Sequence, residues 1–289
     1  KQPDLDWSTE RVRAAFDGVL RFWLDRGVDG FRVDVAHGLI KADGLPDFDE
    51  EQSLLDGQSG PMWDQDGVHD VYRRWRRVLD SYDGDRSLVA EAWVADPQRL
   101  ALYLRPDEMH TAFNFQFLDS HWDAAAYREV IASTMAADEA VGAPTTWVLS
   151  NHDVLRHVSR LGLADPGSSH EGLGAGDEQP NNVLGLRRAR AATLMMLALP
   201  GSAYLYQGEE LGLPDHTTLP DDLRQDPAWF RSDFTKPGRD GCRVPMPWAA
   251  EEPGLGFSPT GKTWLPQPEA SVVALGERVE LDRDVLGAR

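Results

Sequence analysis

Acidic side chains recur at the ends of predicted strands, where they are placed to do acid–base chemistry. Arg32 and Asp34 are two positions apart in a short apolar run, so their side chains point to the same side of a strand. Glu91 lies late in a second run, between two alanines, and apolar or small neighbours raise the pKa of a carboxyl group. Asp153 follows a further run. The pattern predicts that three carboxyl groups converge on one pocket.

Two carboxyl groups that flank a bond are the minimum needed to hydrolyse a glycoside. One attacks the sugar or activates water, and the other protonates the leaving oxygen. Sugar rings stack on aromatic faces, so we expect aromatic residues near the pocket, and the candidates are Trp63, Trp93, Phe113, Phe115 and Trp147. Acidic residues at strand ends are common, however, and the same carboxylates also suit a metal ion.

The elements that must position these residues alternate between strands and helices. Strands are predicted near residues 31, 88, 112, 147 and 204, the third of them over Met109–Phe117. Helices are predicted over residues 11–26, 68–82, 100–104, 122–140 and 183–199. This alternation is typical of a parallel α/β architecture. Residues 159–182 and 215–264 are rich in Gly, Pro and Asp and are predicted to form long loops.

The composition excludes several classes of protein. The chain has 289 residues and a net charge of −19, which disfavours nucleic acid and anionic membranes as partners. Its single cysteine, Cys242, excludes an intramolecular disulfide and a cysteine-based zinc site. No targeting segment is visible at the start, so we expect a soluble, cytoplasmic protein that binds a neutral ligand.

Four segments resemble, in the same order, segments of glycoside hydrolase family 13, the α-amylase family. Gly30–His37 is similar to its nucleophile strand, and Glu91–Trp93 is similar to its acid/base strand. Ser150–Asp153 resembles its third acidic segment, and Gln2–Trp7 resembles the end of its inserted B domain. Two more segments resemble the α-glucosidase branch, namely Gln207–Gly212 and Gly241–Trp248.

The resemblance implies a role for each of the three acids. Asp34 would be the nucleophile that forms a β-glucosyl ester. Glu91 would protonate the glycosidic oxygen and then act as the base on water. Asp153 would bind sugar hydroxyls and stabilise the oxocarbenium-like transition state. Net retention of the anomeric configuration follows.

The resemblance also implies substrate-binding residues. Arg32 would hold Asp34 ionised and oriented, and His152 would donate a hydrogen bond to the sugar. Further candidates for substrate binding are Asn151, His37, Phe115 and Arg156.

Each of these residues also has a purely structural interpretation. Asp34 and Arg32 can form a structural ion pair, and Glu91 can be a solvated residue at a strand end. Residues 151–153 can form a turn that caps a helix. His37 can simply begin a loop, and anchoring of a loop is the favoured role for Arg156.

In fold, the resemblance implies the C-terminal part of a (β/α)8 TIM barrel with the start of a β-rich C-terminal domain. Residues 1–8 would end the B domain, residues 9–265 would form the barrel part, and residues 266–289 would begin the C-terminal domain. The first barrel strands would precede residue 1, so we expect the missing N-terminal half to be required. No cofactor is implied, and a calcium ion is expected only in that missing part.

In function, the resemblance implies a retaining, exo-acting α-glucosidase for short substrates such as maltose or isomaltose. Val35 resembles the residue found in members that cleave α-1,6 bonds. The alternatives are a transglucosylase or trehalose synthase of the same family and a non-catalytic binding subunit. A metal-dependent barrel hydrolase is a further option outside the family.

Overall fold

The computed structural model describes residues 4–49, 60–166, 172–269 and Ser271. The chain divides into two compact units. The first unit comprises Lys1–Asp119, Ala124–Trp147 and Pro200–Ser202, and the second comprises Ser120–Asp123, Val148–Leu199 and Ala203–Arg289. Two predicted segments lie partly outside the described residues. Residues 2 and 3 of the segment 2–7 are outside, and so is most of the C-terminal domain predicted over 266–289.

The first unit contains a parallel three-stranded sheet. Its strands, in spatial order, are β1 (Gly30–Val33), β2 (Ser87–Ala90) and β3 (Thr111–Ala112). In the register of the first pair, Val33 lies opposite Ala90. Asp34 and Glu91 come next in the two chains, so they follow the carboxyl ends of neighbouring parallel strands. The prediction of a parallel α/β arrangement is confirmed for this unit.

Helices separate the strands of the first unit. They are α1 (Glu10–Leu24), α2 (Val68–Leu79), α3 (Pro97–Ala101), α4 (Phe115–Leu118) and α5 (Ala124–Val141), with 3-10 turns at Ala36–Gly38 and Leu102–Leu104. The long helices α1, α2 and α5 match the predicted ones closely in position. The strands are shorter than the apolar runs that predicted them.

An apolar core cluster packs the helices of this unit against its sheet. Leu20 and Leu24 of α1 are buried, as are Trp75 and Leu79 of α2 and Leu88 of β2. Residues four apart share one face of a helix, so this spacing turns each apolar face toward the sheet. Burial of such a side chain contributes about 1.5–3 kcal/mol. The residues that follow β1 and β2 are therefore carried on a packed framework.

The prediction of a strand over Met109–Phe117 is wrong in its second half. Only Thr111–Ala112 is a strand, and Phe115–Leu118 is a short helix. The cause is Asn114, whose side-chain oxygen accepts a hydrogen bond from the backbone N–H of Phe117 at 2.9 Å. An asparagine in this position starts a helix because it satisfies a donor that the first turn leaves unpaired.

Two further strands, β4 (Thr146–Val148) and β5 (Ser202–Tyr204), form a second sheet. The helices of the second unit are α6 (His157–Arg160), α7 (Asn182–Ala198) and α8 (Pro227–Arg231), with 3-10 turns at Glu209–Leu211, Asp221–Leu223, Asp240–Arg243 and Pro253–Gly256. The long predicted loop over residues 215–264 thus contains short helical turns. None of the helices in the described part of the chain has both the length and the hydropathy needed to cross a membrane.

Candidate active site

The side chains of Arg32 and Asp34 meet at the end of β1. Arg32 Nη1 lies 2.6 Å from Asp34 Oδ1, as their spacing along the strand predicts. The side chain of Asp34 is 73% exposed, so a ligand has access to it. An exposed carboxylate oriented by a guanidinium suits a nucleophile or an electrostatic partner for a substrate.

Glu91 follows β2 and is buried. Its Oε2 accepts a hydrogen bond from the backbone N–H of Val35 at 2.6 Å, and its Oε1 accepts one from Trp93 Nε1 at 2.5 Å. Arg32 Nη2 is 3.8 Å from Oε2. Burial raises the pKa of Glu91, while the Val35 N–H, the Trp93 N–H and Arg32 partly oppose it. The expected rise is confirmed, and it suits a general acid.

One guanidinium therefore lies close to the carboxyl groups of both Asp34 and Glu91. Arg32 Nη1 bonds Asp34, and its Nη2 faces Glu91. The two terminal nitrogens belong to one small planar group, so the two carboxyl groups are close neighbours. Their surroundings differ strongly, because one is exposed and the other is buried. Two carboxyl groups with such different environments are able to take different roles in acid–base chemistry.

Phe115 lies next to this pair through an aromatic stack. Its ring is parallel to that of Trp93, with centroids 3.7 Å apart and an interplanar angle of 7°. Trp93 is the residue that donates to Glu91. Trp147, in contrast, is fully buried, packs on Phe117 and donates to the carbonyl of Pro200. The expectation that Trp147 belongs to an aromatic pocket is therefore wrong, because its ring fills the core.

His37 occupies the 3-10 turn after β1 and is fully buried. Its ring stacks on that of Trp63, with centroids 5.0 Å apart, and its carbonyl accepts the backbone N–H of Asp64 at 2.7 Å. These contacts hold the segment after β1 against the loop that precedes α2. A role for His37 in substrate binding stays a prediction.

In the second unit, Asn151, His152 and Asp153 form a turn after β4. Asn151 Oδ1 accepts the backbone N–H of Asp153 at 2.8 Å, and His152 Nε2 is 3.3 Å from Asp153 Oδ2. The turn does not cap a helix, because α6 begins only at His157. The side chain of His152 is 47% exposed, so it can donate a hydrogen bond to a ligand.

Two arginines that the sequence analysis did not select bind Asp153. Arg239 Nη1 and Arg243 Nη2 bond Asp153 Oδ1 at 2.8 and 2.9 Å. Arg239 also bonds Asp226, which is buried. Burial alone would raise the pKa of Asp226, but the Arg239 side chain and backbone N–H groups outweigh it and lower that pKa to about 2. The only signal in the sequence was the segment 241–248. It contains Arg243, but nothing in it indicates that this residue binds Asp153.

Arg156 is buried and holds the backbone of the second unit. Its guanidinium donates to the carbonyls of Gln207 and Cys242 at 2.6 and 2.9 Å and lies over the ring of Tyr206. Its backbone N–H donates to Asp215 at 2.9 Å. These contacts are those of a loop anchor, the role that was favoured for Arg156, rather than those of a substrate-binding side chain.

Glu209 is another buried carboxyl group of the second unit. Glu209 Oε1 is 3.6 Å from His157 Nδ1, and that ring nitrogen is 2.9 Å from the Ser150 hydroxyl. Burial raises the pKa of Glu209 to about 7, and burial lowers the pKa of His157 to about 3. The histidine is therefore neutral near pH 7 and supplies no cation to Glu209. Within the described residues, no group of three or more His, Cys, Asp or Glu side chains is arranged to hold a metal ion.

Comparison with known proteins agrees with this arrangement. The model of the α-amylase catalytic domain matches residues 1–273, which is nearly the whole chain. The chain therefore belongs to the α-amylase family, and its strands and helices are part of a TIM barrel.

The chain is similar to named members of this family. It is 32% identical to a probable α-glucosidase of Rhizobium meliloti, over 94% of this chain and 48% of the relative. It is 30% identical to an oligo-1,6-glucosidase of Parageobacillus thermoglucosidasius, over 92% of this chain and 49% of the relative. A crystal structure of an α-glucosyl transfer enzyme matches 98% of this chain and 51% of that protein, with a TM-score of 0.77 and 30% identity. The chain thus spans about half the length of these relatives.

Proposed function

We propose that this protein is a retaining, exo-acting α-glucosidase that releases terminal glucose from short α-glucosides of the maltose or isomaltose type. The observation that carries the proposal is the pair of carboxyl groups at the ends of β1 and β2. Asp34 is exposed and oriented by Arg32, whereas Glu91 is buried with a raised pKa. The names of the relatives, an α-glucosidase and an oligo-1,6-glucosidase, support the choice of substrate.

In the proposed reaction, a carboxylate oxygen of Asp34 attacks the anomeric carbon. Glu91 gives its proton to the glycosidic oxygen as the bond to the leaving group breaks. The product of this step is a covalent glucosyl ester on Asp34. Glu91, now ionised, takes a proton from water, which attacks the same carbon and releases Asp34. Two inversions give net retention.

The other polar groups have supporting roles in this proposal. Asp153, with its charge balanced by Arg239 and Arg243, binds sugar hydroxyls and stabilises the positive charge of the transition state. The exposed ring of His152 donates a hydrogen bond to the substrate. Val35 favours α-1,6 bonds, in line with the similarity to an oligo-1,6-glucosidase.

We also propose that activity requires an additional barrel segment that covers apolar helix surface. Leu194 and Leu197 of α7 are 71% and 57% exposed. Exposed apolar patches of this kind mark surfaces that pack against another part of a protein. The test is whether a protein of residues 1–289 by itself hydrolyses an aryl α-glucoside.

The nucleophile is tested with Asp34→Asn in the intact natural protein and an aryl α-glucoside as substrate. We expect turnover to fall by roughly 10³–10⁶ fold, because the amide cannot form the glucosyl ester. The matched control is Asp29→Asn, a change of an 83% exposed aspartate just before the same strand, which should leave turnover near normal. Circular dichroism checks that both variants are folded. Near-normal turnover of Asp34→Asn would contradict the proposal.

The stereochemistry provides a separate test. Proton NMR at early times should show that released glucose appears first as the α-anomer. Early β-glucose would exclude the retaining mechanism.

A transglucosylase is the second candidate, because the chain is 30% identical to an α-glucosyl transfer enzyme. The two functions share the glucosyl ester and differ in the acceptor, which is water in one and a sugar in the other. Product analysis at high substrate concentration distinguishes them. Free glucose in proportion to bonds cleaved supports the hydrolase, and new oligosaccharides in place of glucose support the transferase.

A further inference from the structure

Val35, which directly follows Asp34, has a left-handed backbone. Its φ and ψ are 46° and 48°. A β-branched residue rarely adopts this conformation, because its side chain crowds the backbone. Strained conformations of this kind persist only where the surrounding contacts impose them.

Three hydrogen bonds to Glu91 are among those contacts, and the Val35 carbonyl also accepts the N–H of Gly38 at 2.9 Å. The backbone N–H of Glu91 donates to the carbonyl of Val33 at 2.9 Å, and the N–H of Ala36 donates to the carbonyl of Glu91 at 2.7 Å. Between them, the N–H of Val35 donates to the carboxylate oxygen Oε2 at 2.6 Å. The short segment from Val33 to Ala36 therefore holds both the backbone and the side chain of Glu91.

The left-handed conformation explains how two successive N–H groups reach one residue. In an extended strand, successive residues and their N–H groups face opposite sides. If β1 continued straight, the N–H groups of Val35 and Ala36 would diverge, and only one of them would meet Glu91. A helical-type bend at Val35 turns both toward the same neighbour.

We propose that Val35 is a positioning residue: its left-handed backbone lets its N–H bond Glu91 Oε2 while the N–H of Ala36 bonds the Glu91 carbonyl, and this fixes the carboxyl group that protonates the leaving oxygen. The inference rests on the proposed function, in which Glu91 is the general acid. The other oxygen, Oε1, is held by Trp93 Nε1 at 2.5 Å, so each oxygen has its own neutral donor. The charged groups that face Glu91 are Arg32 and Asp34.

The N–H of Val35 matters most when Glu91 loses its proton. A hydrogen bond to the ionised form of a carboxyl group is stronger than one to the neutral form. The Val35 N–H lowers the pKa of Glu91 and so opposes part of the rise that burial causes. Its removal should therefore slow proton transfer and raise the pKa of Glu91 further.

The experiment replaces Val35 in the intact natural protein by its α-hydroxy analogue, introduced by nonsense suppression. The resulting backbone ester keeps the isopropyl side chain and lacks the N–H. We expect kcat/KM to fall about tenfold, the loss expected for one hydrogen bond to a charged group. The basic limb of the pH profile of kcat/KM should move to higher pH. A ¹³C NMR titration of the Glu91 carboxyl carbon, assigned with Glu91→Gln, should move in the same direction.

The matched control is the corresponding ester at Ala36, which removes the hydrogen bond to the Glu91 backbone carbonyl and keeps the one to its carboxylate. It should leave the basic limb and the ¹³C titration in place. An unchanged Glu91 titration in the Val35 ester would overturn the inference, and so would an equal shift in both esters. The NMR readout needs no turnover, so a shifted titration in a protein without glucosidase activity would refute the proposed function alone.

Val35→Gly provides a test that does not depend on folding of the ester. Glycine adopts the left-handed conformation without strain and keeps the N–H. The folded variant should keep the Glu91 titration of the wild type. A shift toward higher pH in this variant would assign the effect to the side chain of Val35 and overturn the inference.

Discussion

Glu91 and Asp153 both follow strands, but different kinds of donor hold their carboxyl groups. Glu91, in the first unit, accepts hydrogen bonds from a backbone N–H and an indole N–H, with its nearest guanidinium nitrogen at 3.8 Å. Asp153, in the second unit, bonds two guanidinium groups directly, at 2.8 and 2.9 Å. Neutral donors fix a carboxyl group without supplying charge, so burial still raises the pKa of Glu91.

Glu209 is a second carboxyl group whose pKa burial raises. It is buried beside a neutral His157, and its pKa rises to about 7. Asp226 is also buried, yet the direct bonds from Arg239 lower its pKa to about 2. Both groups are buried, so the bonds from Arg239, together with backbone N–H groups, account for the lower pKa of Asp226.

The largest expected effect separates the roles of Glu91 and Asp153. Glu91→Gln should lower turnover of an alkyl α-glucoside by several orders of magnitude. It should slow formation of the glucosyl ester from a nitrophenyl α-glucoside far less, because an acidic phenol leaves without a proton. Asp153→Asn should slow this step for both substrates alike, because its role does not depend on the leaving group. Pre-steady-state release of the leaving group measures the step. The same loss on both substrates in Glu91→Gln would show that Glu91 is not the acid.

A smaller effect concerns the pH dependence of stability and tests the influence of burial on the pKa of Glu209. Its folded pKa of about 7 lies above the ordinary value of 4.5, so the folded state binds this proton more tightly. The stabilisation of the folded state by this bound proton is present below about pH 4.5 and is lost as the pH rises through 7. Glu209→Gln should therefore gain about 3 kcal/mol relative to the wild type above pH 7 and little at pH 4.5.

Denaturant unfolding at several pH values checks this prediction. The matched control is Glu210→Gln, a change of the exposed neighbouring glutamate, which should follow the pH dependence of the wild type. A stability difference between Glu209→Gln and the wild type that does not vary with pH would mean that burial does not raise the pKa of Glu209.

The smallest effect tests the ion pairs that Arg239 and Arg243 form with Asp226 and Asp153. Arg239→Met leaves the buried Asp226 without its cation and should destabilise the protein by about 2 kcal/mol, less than for a fully buried pair because Arg239 is one-third exposed. Arg243→Met should cost less, since Asp153 keeps its bond to Arg239. Urea unfolding of both variants measures the difference, and an equal loss would show that Asp226 does not depend on Arg239.

The residues of the site were largely predictable from local sequence. Arg32 and Asp34 meet because side chains two positions apart share a side of a strand, and that period holds in any strand. The rise in the pKa of Glu91 followed from its small neighbours in a buried run. The helix at Phe115–Leu118 was missed, because the side chain of Asn114 overrode the apolar run around it.

The sequence by itself determined which strands end in carboxyl groups and which polar residues accompany them, since both depend on short-range periodicity. Tertiary structure alone decided what holds Oε2 of Glu91 and the carboxylate of Asp153. The Val35 N–H on Glu91 and the guanidinium groups of Arg239 and Arg243 on Asp153 join segments far apart in the chain. Hydrogen bonds between such segments depend on how loops and strands pack, and no local pattern of residues specifies that packing.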